Sequence, residues 1–266
     1  MSPERLPAFE AVLEGFVVNE LRGDGDPAAI LPDERPLVAR AVDSRVRQFA
    51  AGRQCARAGL AAVGAAPTAI VRADGRAPRW PVGVGGSISH TDGYAIAAVA
   101  TTGPDRASVG VDAEVVGRVG EQLFERLFVE RERQWLAALP APERAGAATE
   151  LFGLKECYYK AQFPLTGAWV GFHDVLITPE TTGATTGVPV GARGVRGPGG
   201  DEGAAEAAGP LRRWRLEPLT DLAALAAVRW PVVGWSWRRP VAGGEVAVTA
   251  VAAHAAGDTS GGVSGE

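Results

Sequence analysis

The sequence predicts an α+β protein built of two similar halves, and two observations carry that expectation. A helical stretch followed by short strand-like segments occurs once in the first part of the chain and again in the second. Gly, Pro and Asp punctuate the strand-like segments of both. The implied division is an N-terminal α+β half over 1–115 and a C-terminal half over 116–254, without a clear sequence repeat. At 266 residues the chain is long enough for one large domain or two modest ones with a substantial core.

In chain order, an apolar run around residues 11–18 reads as a first strand. From Pro32 and Asp33 to Gly64 the pattern is that of one long helix or two in succession. β-like segments begin at Thr68 ("TAIVRA"), Gly86 ("GSISH"), Tyr94 ("YAIAAVAT") and Ser108 ("SVGVDAEV"). The second half opens on the helical patterns "EQLFERLF" and "VERERQWLAAL". A longer helix, "ERAGAATELFGLKECYYKAQF", is expected to stop before Pro164, because proline disfavours helical geometry in the residue ahead of it. "HDVLITP", "RRWRLEPL", "VVGWSWRR" and "VAVTAVAA" read as strands. Gly, Ala, Thr and Pro dominate 181–210, which is expected to be a flexible insertion, and 255–266 reads as a disordered tail.

Composition excludes some function classes. A net charge of −4 argues against a broad basic surface for nucleic acid. Cys55 and Cys157 make no zinc spacing with His90, His173 and His254, and one cysteine pair is too few for a disulfide framework, which fits a reducing cytoplasm. The start "MSPERLPAFE" lacks a basic region followed by an apolar run, and no stretch approaches membrane-spanning length. The expectation is a soluble, cytoplasmic monomer that engages no membrane.

Three places are suited to chemistry. Alternation along "VGVDAEV" puts Asp112 and Glu114 on one face of a strand, opposite Val111, Ala113 and Val115. Two neighbouring carboxylates call for a cation, and oxygen ligands favour Mg²⁺ or a similar hard metal; a solvent-facing edge strand carries such pairs as well. The second place is "LFGLKECYYKA", which holds the chain's only lysines, Lys155 and Lys160. At about 100° per residue, Leu151, Leu154, Cys157, Tyr158 and Ala161 share a core-facing side of the helix. Glu156 and Lys160 lie together on the opposite side, beside a second apolar strip of Phe152, Tyr159 and Phe163. An ordinary intrahelical ion pair would have the same spacing. The third place is "GVGGSISHTDGYAIAAVA", whose glycines permit close backbone approach and whose Ser87, Ser89, His90 and Thr91 are compact partners for phosphate oxygens. It matches neither a Walker A loop nor a dinucleotide fingerprint, and no nucleophile elbow is present.

In this order and at these separations, "GRAPRWPVGVGGSISHTDGYAIAAVA", "VGVDAE" and "LFGLKECYYKA", with weaker support from "RVRQFAAGRQCARAGLAAVG", resemble the 4'-phosphopantetheinyl transferases of the surfactin-synthetase-activating type. The likeness is to the branch that includes the enterobactin-synthesis enzymes and spans about residues 45–161. It implies two α+β halves related by a pseudo-twofold axis, with coenzyme A in the cleft between them. Asp112, Glu114 and Glu156 would hold Mg²⁺, and Ser89 and His90 would contact phosphates. Arg45, Arg53 and Arg72 would surround the 3'-phosphate region, while Lys155 and Lys160 would face the phosphates. Cys157 stands where the family often has Ser, and Arg72 where lysine is also common; neither change removes a required charge.

The activity so implied is Mg²⁺-dependent transfer of the phosphopantetheine arm of coenzyme A to a serine of an acyl or peptidyl carrier protein, releasing adenosine 3',5'-bisphosphate. Glu156, directly or through a metal-bound water, would take the serine proton, and Lys160 with His90 would offset charge on the departing phosphate. The branch resembled points to secondary-metabolite or siderophore biosynthesis. Two alternatives stand beside this: a catalytically silent coenzyme A or carrier-protein binding module, and a metal-dependent hydrolase of the coenzyme A pyrophosphate.

Overall fold

The computed structural model describes residues 1–72, 77–103, 107–180, 210–220 and 223–256. The elements are β1 (Glu4–Arg5), α1 (Pro7–Glu10), β2 (Val17–Arg22), α2 (Asp43–Ala62), β3 (Val84–Thr91), β4 (Tyr94–Thr101) and β5 (Ala107–Val115). They continue with α3 (Phe124–Leu127), α4 (Glu130–Ala138), α5 (Ala141–Thr166), β6 (Val175–Pro179), β7 (Arg212–Pro218), α6 (Ala223–Ala226), β8 (Val232–Val241) and β9 (Gly244–His254). Two antiparallel sheets form, one in the order β1-β2-β4-β3 and one in the order β5-β9-β8-β7-β6. The α+β class is borne out.

Both sheets follow one connection rule. A first strand leads through a long helix into a meander whose last strand returns beside the first: β2, α2, β3, β4 in one, and β5, α5, β6 to β9 in the other. Strand β5, which lies within 1–115, is paired with β9 in the second sheet.

Side-chain alternation stacks these parts as helix, sheet, sheet, helix. On β4, Ala95, Ala97 and Val99 pack with Cys55 and Leu60 of α2, whereas Tyr94, Ile96 and Ala98 pack with Val109, Val111 and Val248 of the second sheet. Its apolar run needs no polar face, because both faces are covered. The other face of the second sheet, including Trp214, Leu216 and Val251, packs on Leu151, Leu154 and Tyr158 of α5. All five residues assigned to the core side of α5 are buried.

Several boundaries differ from expectation. The first strand is Val17–Arg22 rather than 11–18, because the helix Pro7–Glu10 precedes it. Residues 68–72 of "TAIVRA", the part that lies among the described residues, form no strand; Arg72 makes an isolated bridge to Pro78. The segment from Pro32 resolves into a 3₁₀ helix, Pro32–Val38, and then α2. Helix α5 runs through Pro164 to Thr166, so the expected stop was wrong. A proline in the last turn costs the helix its own bond to the carbonyl four residues back, and packing of the long helix before it offsets that loss. The helix closes at Gly167 in the left-handed conformation (φ 66°), whose N–H donates to the Phe163 carbonyl at 2.8 Å. The insertion and tail expected from the sequence fall, over 181–209 and 257–266, outside the described residues.

Glycine sets how near α5 comes to the second sheet. A Cβ on Gly110 of β5 would stand 1.9 Å from the Cys157 carbonyl oxygen, and one on Gly153 would stand 2.6 Å from the Thr249 hydroxyl of β9. Gly110→Ala is expected to destabilise the protein by about 3 kcal/mol, since backbone rather than a flexible side chain must yield. Chemical denaturation would measure this; an unchanged midpoint would show that the close contact is dispensable.

Candidate active site

The two sheets meet where the edge strand β3 of the first lies against β5 of the second. The Ser87 hydroxyl accepts from the Val111 N–H at 3.0 Å, and the Ser89 hydroxyl donates to Asp112 Oδ1 at 2.8 Å. From the other side, Lys160 of α5 donates to Asp112 Oδ1 at 2.7 Å and to the Val111 carbonyl at 3.1 Å. The alternative of an ordinary Glu156–Lys160 helix pair is thus not the contact Lys160 makes. Its ammonium reaches across to the strand and keeps one hydrogen for another acceptor.

Asp112 is buried, which excludes the solvent-facing edge strand, and its Oδ2 has no hydrogen-bond partner. Burial, and then the neighbouring Asp112 charge, push the Glu114 carboxyl up to about 7. Burial likewise raises Glu156, opposed by Lys160 and reinforced by Asp112. Burial disfavours the charge on Lys160, but Asp112, Cys157 and Glu156 together outweigh it and the ammonium titrates above the usual lysine value. Among the described residues no three His, Cys, Asp or Glu side chains close into a finished metal cage. Nevertheless, an orphaned carboxylate oxygen beside two carboxyls held above their usual range is an all-oxygen donor set short of positive charge. That chemistry fits a hard divalent cation.

Glu156 and Lys160 line a cleft of about 950 Å³ that also receives Arg45, Arg53, Arg72 and His90. Its other wall is apolar: Tyr159 packs against Phe163 (ring centroids 5.6 Å) and Trp169 (5.1 Å), the strip foreseen beside Glu156. Arg53 is held from behind. Buried Glu34 lies 3.5 Å from its Nε, accepts from Arg57 Nη1 at 3.0 Å and takes the Ile70 and Leu31 N–H groups, while the Arg53 guanidinium sits 4.2 Å over the Phe49 ring. Burial lowers Arg53 to about 10, and it stays charged at neutral pH.

Two sequence expectations need correction. Lys155 was expected to face phosphates, but its ammonium is buried and its three hydrogens are matched by Glu132 (2.9 Å) and the carbonyls of Phe172 and Val175 (2.8 Å to the latter). Burial presses Lys155 down and Glu132 up, each partly offset by the other's charge. The pair ties α4 and α5 to the loop that carries Trp169. Ser89 was also expected at the phosphates, yet its hydroxyl hydrogen is directed to Asp112. Ser87, read in the sequence as a partner for phosphate oxygens, instead takes the Val111 N–H, and Glu34 and Glu132 escaped the sequence reading. Both glutamates left a signal, a first-turn position from which the carboxylate caps the N–H ahead of the helix: Glu34 that of Leu31 and Glu132 that of Val129, each at 3.0 Å.

A family model described as the 4'-phosphopantetheinyl transferase N-terminal domain matches residues 33–100, and one described as the 4'-phosphopantetheinyl transferase superfamily matches 108–195. 4'-Phosphopantetheinyl transferase PptT of Mycobacterium tuberculosis is 39% identical over 178 residues, covering 66% of this chain and 76% of that one. The chain belongs to the 4'-phosphopantetheinyl transferase superfamily. Two further members are similar: Npt of Nocardia iowensis, 41% identical over 149 residues (56% of this chain, 66% of that one), and Svp of Streptomyces mobaraensis, 39% over 163 residues (60% and 65%). The matches to Npt and Svp thus span just under two thirds of those proteins. The first family stretch contains Arg45, Arg53, Arg72, Ser89 and His90, and the second contains Asp112, Glu114, Glu156 and Lys160. The two stretches meet between β4 and β5, where one sheet gives way to the other.

Lys155→Met should leave the Glu132 charge buried without its cation and cost about 3–5 kcal/mol, while adding Glu132→Gln, which removes that charge and keeps an oxygen for the backbone N–H groups of Val129 and Ile177, should recover part of the loss. Urea denaturation of the single and double variants would test the pair; an unaffected single variant would return Lys155 to the phosphate site.

Proposed function

We propose that this protein transfers the 4'-phosphopantetheine arm of coenzyme A to a serine hydroxyl of an acyl or peptidyl carrier protein and releases adenosine 3',5'-bisphosphate. The observation that carries the proposal is one cleft, in a member of this family, that three arginines line together with Glu156 and Lys160, the latter holding the Asp112 carboxylate behind it. An anionic ligand with an apolar arm suits a cavity that is cationic on one side and aromatic on the other.

Asp112, Glu114 and Glu156 are the residues that would hold Mg²⁺, and the ion would supply positive charge to the pyrophosphate oxygens. Arg45, Arg53 and Arg72 bind the anionic end of coenzyme A, away from the aromatic wall. Glu156, raised by burial, is suited to accept the proton of the attacking serine as the new phosphoester bond forms. Lys160 keeps its charge and directs its remaining hydrogen to the bond that breaks, where negative charge accumulates on the departing phosphate. Ser89 and Ser87 hold β3 against β5, so the residues of both halves keep their distance from the reacting phosphorus.

Incubation with coenzyme A, Mg²⁺ and an apo carrier protein should raise the carrier's mass by one phosphopantetheine, and Glu156→Ala should abolish the gain with the fold intact. Cleavage of coenzyme A without carrier modification would favour hydrolysis instead, and binding without turnover would favour a silent module. Near-normal transfer by the variant would remove Glu156 from the mechanism.

The raised Glu114 carboxyl makes a separate prediction without metal. A folded value of about 7, above the ordinary value for glutamate, adds stability at low pH that is lost as pH rises through 7. The thermal midpoint of the metal-free protein should therefore fall between pH 5 and 8, and Mg²⁺ should raise it more at pH 8 than at pH 5. Glu114→Gln should flatten both trends; an Mg²⁺ effect indifferent to that substitution would exclude Glu114 as a ligand.

A further inference from the structure

His90 lines the cleft from the end of β3, and one nitrogen of its ring is already engaged. Arg45 Nη1 lies 3.2 Å from His90 Nδ1 and 3.3 Å from Gln48 Oε1. That nitrogen has two hydrogens, so both are assigned. Gln48 is oriented in turn, because its Nε2 donates to Asp92 Oδ1 at 2.6 Å. The second oxygen of Asp92 accepts from Arg118, whose other terminal nitrogen donates to the Thr91 hydroxyl at 3.2 Å. A connected path therefore runs from the segment after β5, through the β3–β4 turn, to α2 and back to β3. Its last member aims one N–H at the imidazole.

A guanidinium has hydrogens to give and no lone pair to accept with. His90 Nδ1 must accept, and a neutral ring then carries its hydrogen on Nε2. We infer that Arg45 is a positioning residue that fixes His90 as a neutral hydrogen-bond donor, through Nε2, to a phosphate of the bound ligand. The phosphate's identity rests on the coenzyme A reading above; the state of the ring does not.

The surroundings agree with the geometry. Burial comes first and Arg45 second in lowering His90 to about 4. The charged groups that bear on the ring are Arg45 and Arg53 from α2 and Lys160 from α5, all cationic. Asp92, the nearby acid on the β3–β4 turn, is engaged by Gln48 and Arg118. Protonating Nδ1 would set its N–H against the Arg45 N–H and add a positive charge to three others. The consequence for the reaction is specific: His90 helps the departing phosphate by a hydrogen bond and not by an ionic charge. That contribution stays constant across the pH range in which an ordinary histidine titrates.

Nitrogen chemical shifts of the ¹⁵N-labelled imidazoles test the tautomer, with the His90 signals identified by their loss in His90→Gln. The expected result at pH 7, without and with coenzyme A, is an unprotonated Nδ1 and a protonated Nε2. An imidazolium pattern or the reverse tautomer would overturn the inference. In Arg45→Leu, titration of the ring should move up toward about 6.5, the ordinary histidine value; an unmoved titration would show that Arg45 does not set it. Coenzyme A affinity separates a donor from a cation. Glutamine places a neutral N–H near the position of Nε2, so His90→Gln should bind within about threefold of the native protein, whereas His90→Ala should lose about tenfold. Equal losses would overturn the donor role. A native protein that bound no coenzyme A would sink the transfer reading, while the spectra would still decide the tautomer and the part Arg45 plays in it.

Discussion

The close contact of helix α5 with strands β5 and β9 is the constraint on which the rest of the site depends. Gly110 and Gly153 permit it by presenting no Cβ at the interface, and the small Cys157 and Ala161 complete the surface. Cys157 is fully buried, and its thiol meets the carbonyl and hydroxyl of Thr249 at 3.3 and 3.2 Å. Burial pushes this thiol well above its usual range, so it packs and bonds rather than reacts. At a longer helix-to-sheet distance Lys160 would not span to Asp112, and Glu156 would stand away from the other two carboxylates. The geometry of three charged side chains is thus fixed by residues that carry no charge.

Charge is handled in the interior by local hubs. Glu34 gathers Arg53 and Arg57 beneath one end of the cleft, Glu132 neutralises Lys155 behind the aromatic wall, and Glu150 gathers Arg212, Arg238 and Ser236 across the second sheet. Each hub meets a buried carboxylate with cationic or hydroxyl donors, as a low-dielectric interior requires. The Asp112, Glu114 and Glu156 group is different: Lys160 occupies one oxygen while another has no partner. Among the described residues Asp112 Oδ2 is the one buried carboxylate oxygen without a hydrogen-bond partner, and it lies behind a cleft that Glu156 and Lys160 line, where an incomplete set marks a binding site rather than a structural ion pair.

Much of this was legible in the sequence, for reasons that can be named. Period-two alternation placed Asp112 and Glu114 together, helical period placed Glu156 and Lys160 on one side of α5, and β4 was delimited at its observed ends because turn residues bracket an unbroken apolar run. These are properties of single elements. Partnership between elements was not legible. Two lysines five positions apart look alike in a string, yet Lys155 turns toward Glu132, 23 positions earlier, while Lys160 turns toward Asp112 on a strand. Likewise "SIS" gives no sign that Ser87 and Ser89 join two sheets, since their partners are a backbone N–H and a carboxylate from the other half. Pro164 misled because a local rule for proline competes with packing. The apolar contacts and the glycine closure of α5 carry the helix one turn further.

The buried Glu20 of β2 bears on how the molecule comes apart. Its carboxylate accepts from Arg22 and from the Tyr94 hydroxyl within the first sheet, and from Arg239 of β8 in the second, whose guanidinium also lies 4.2 Å over the Trp237 ring. Sheets that share a topology invite description as independent units. Here separation would expose the apolar layer between them and strip an arginine from its carboxylate in the same event. The two halves should therefore melt in a single cooperative transition, and the cleft at their seam should persist for as long as either half is folded.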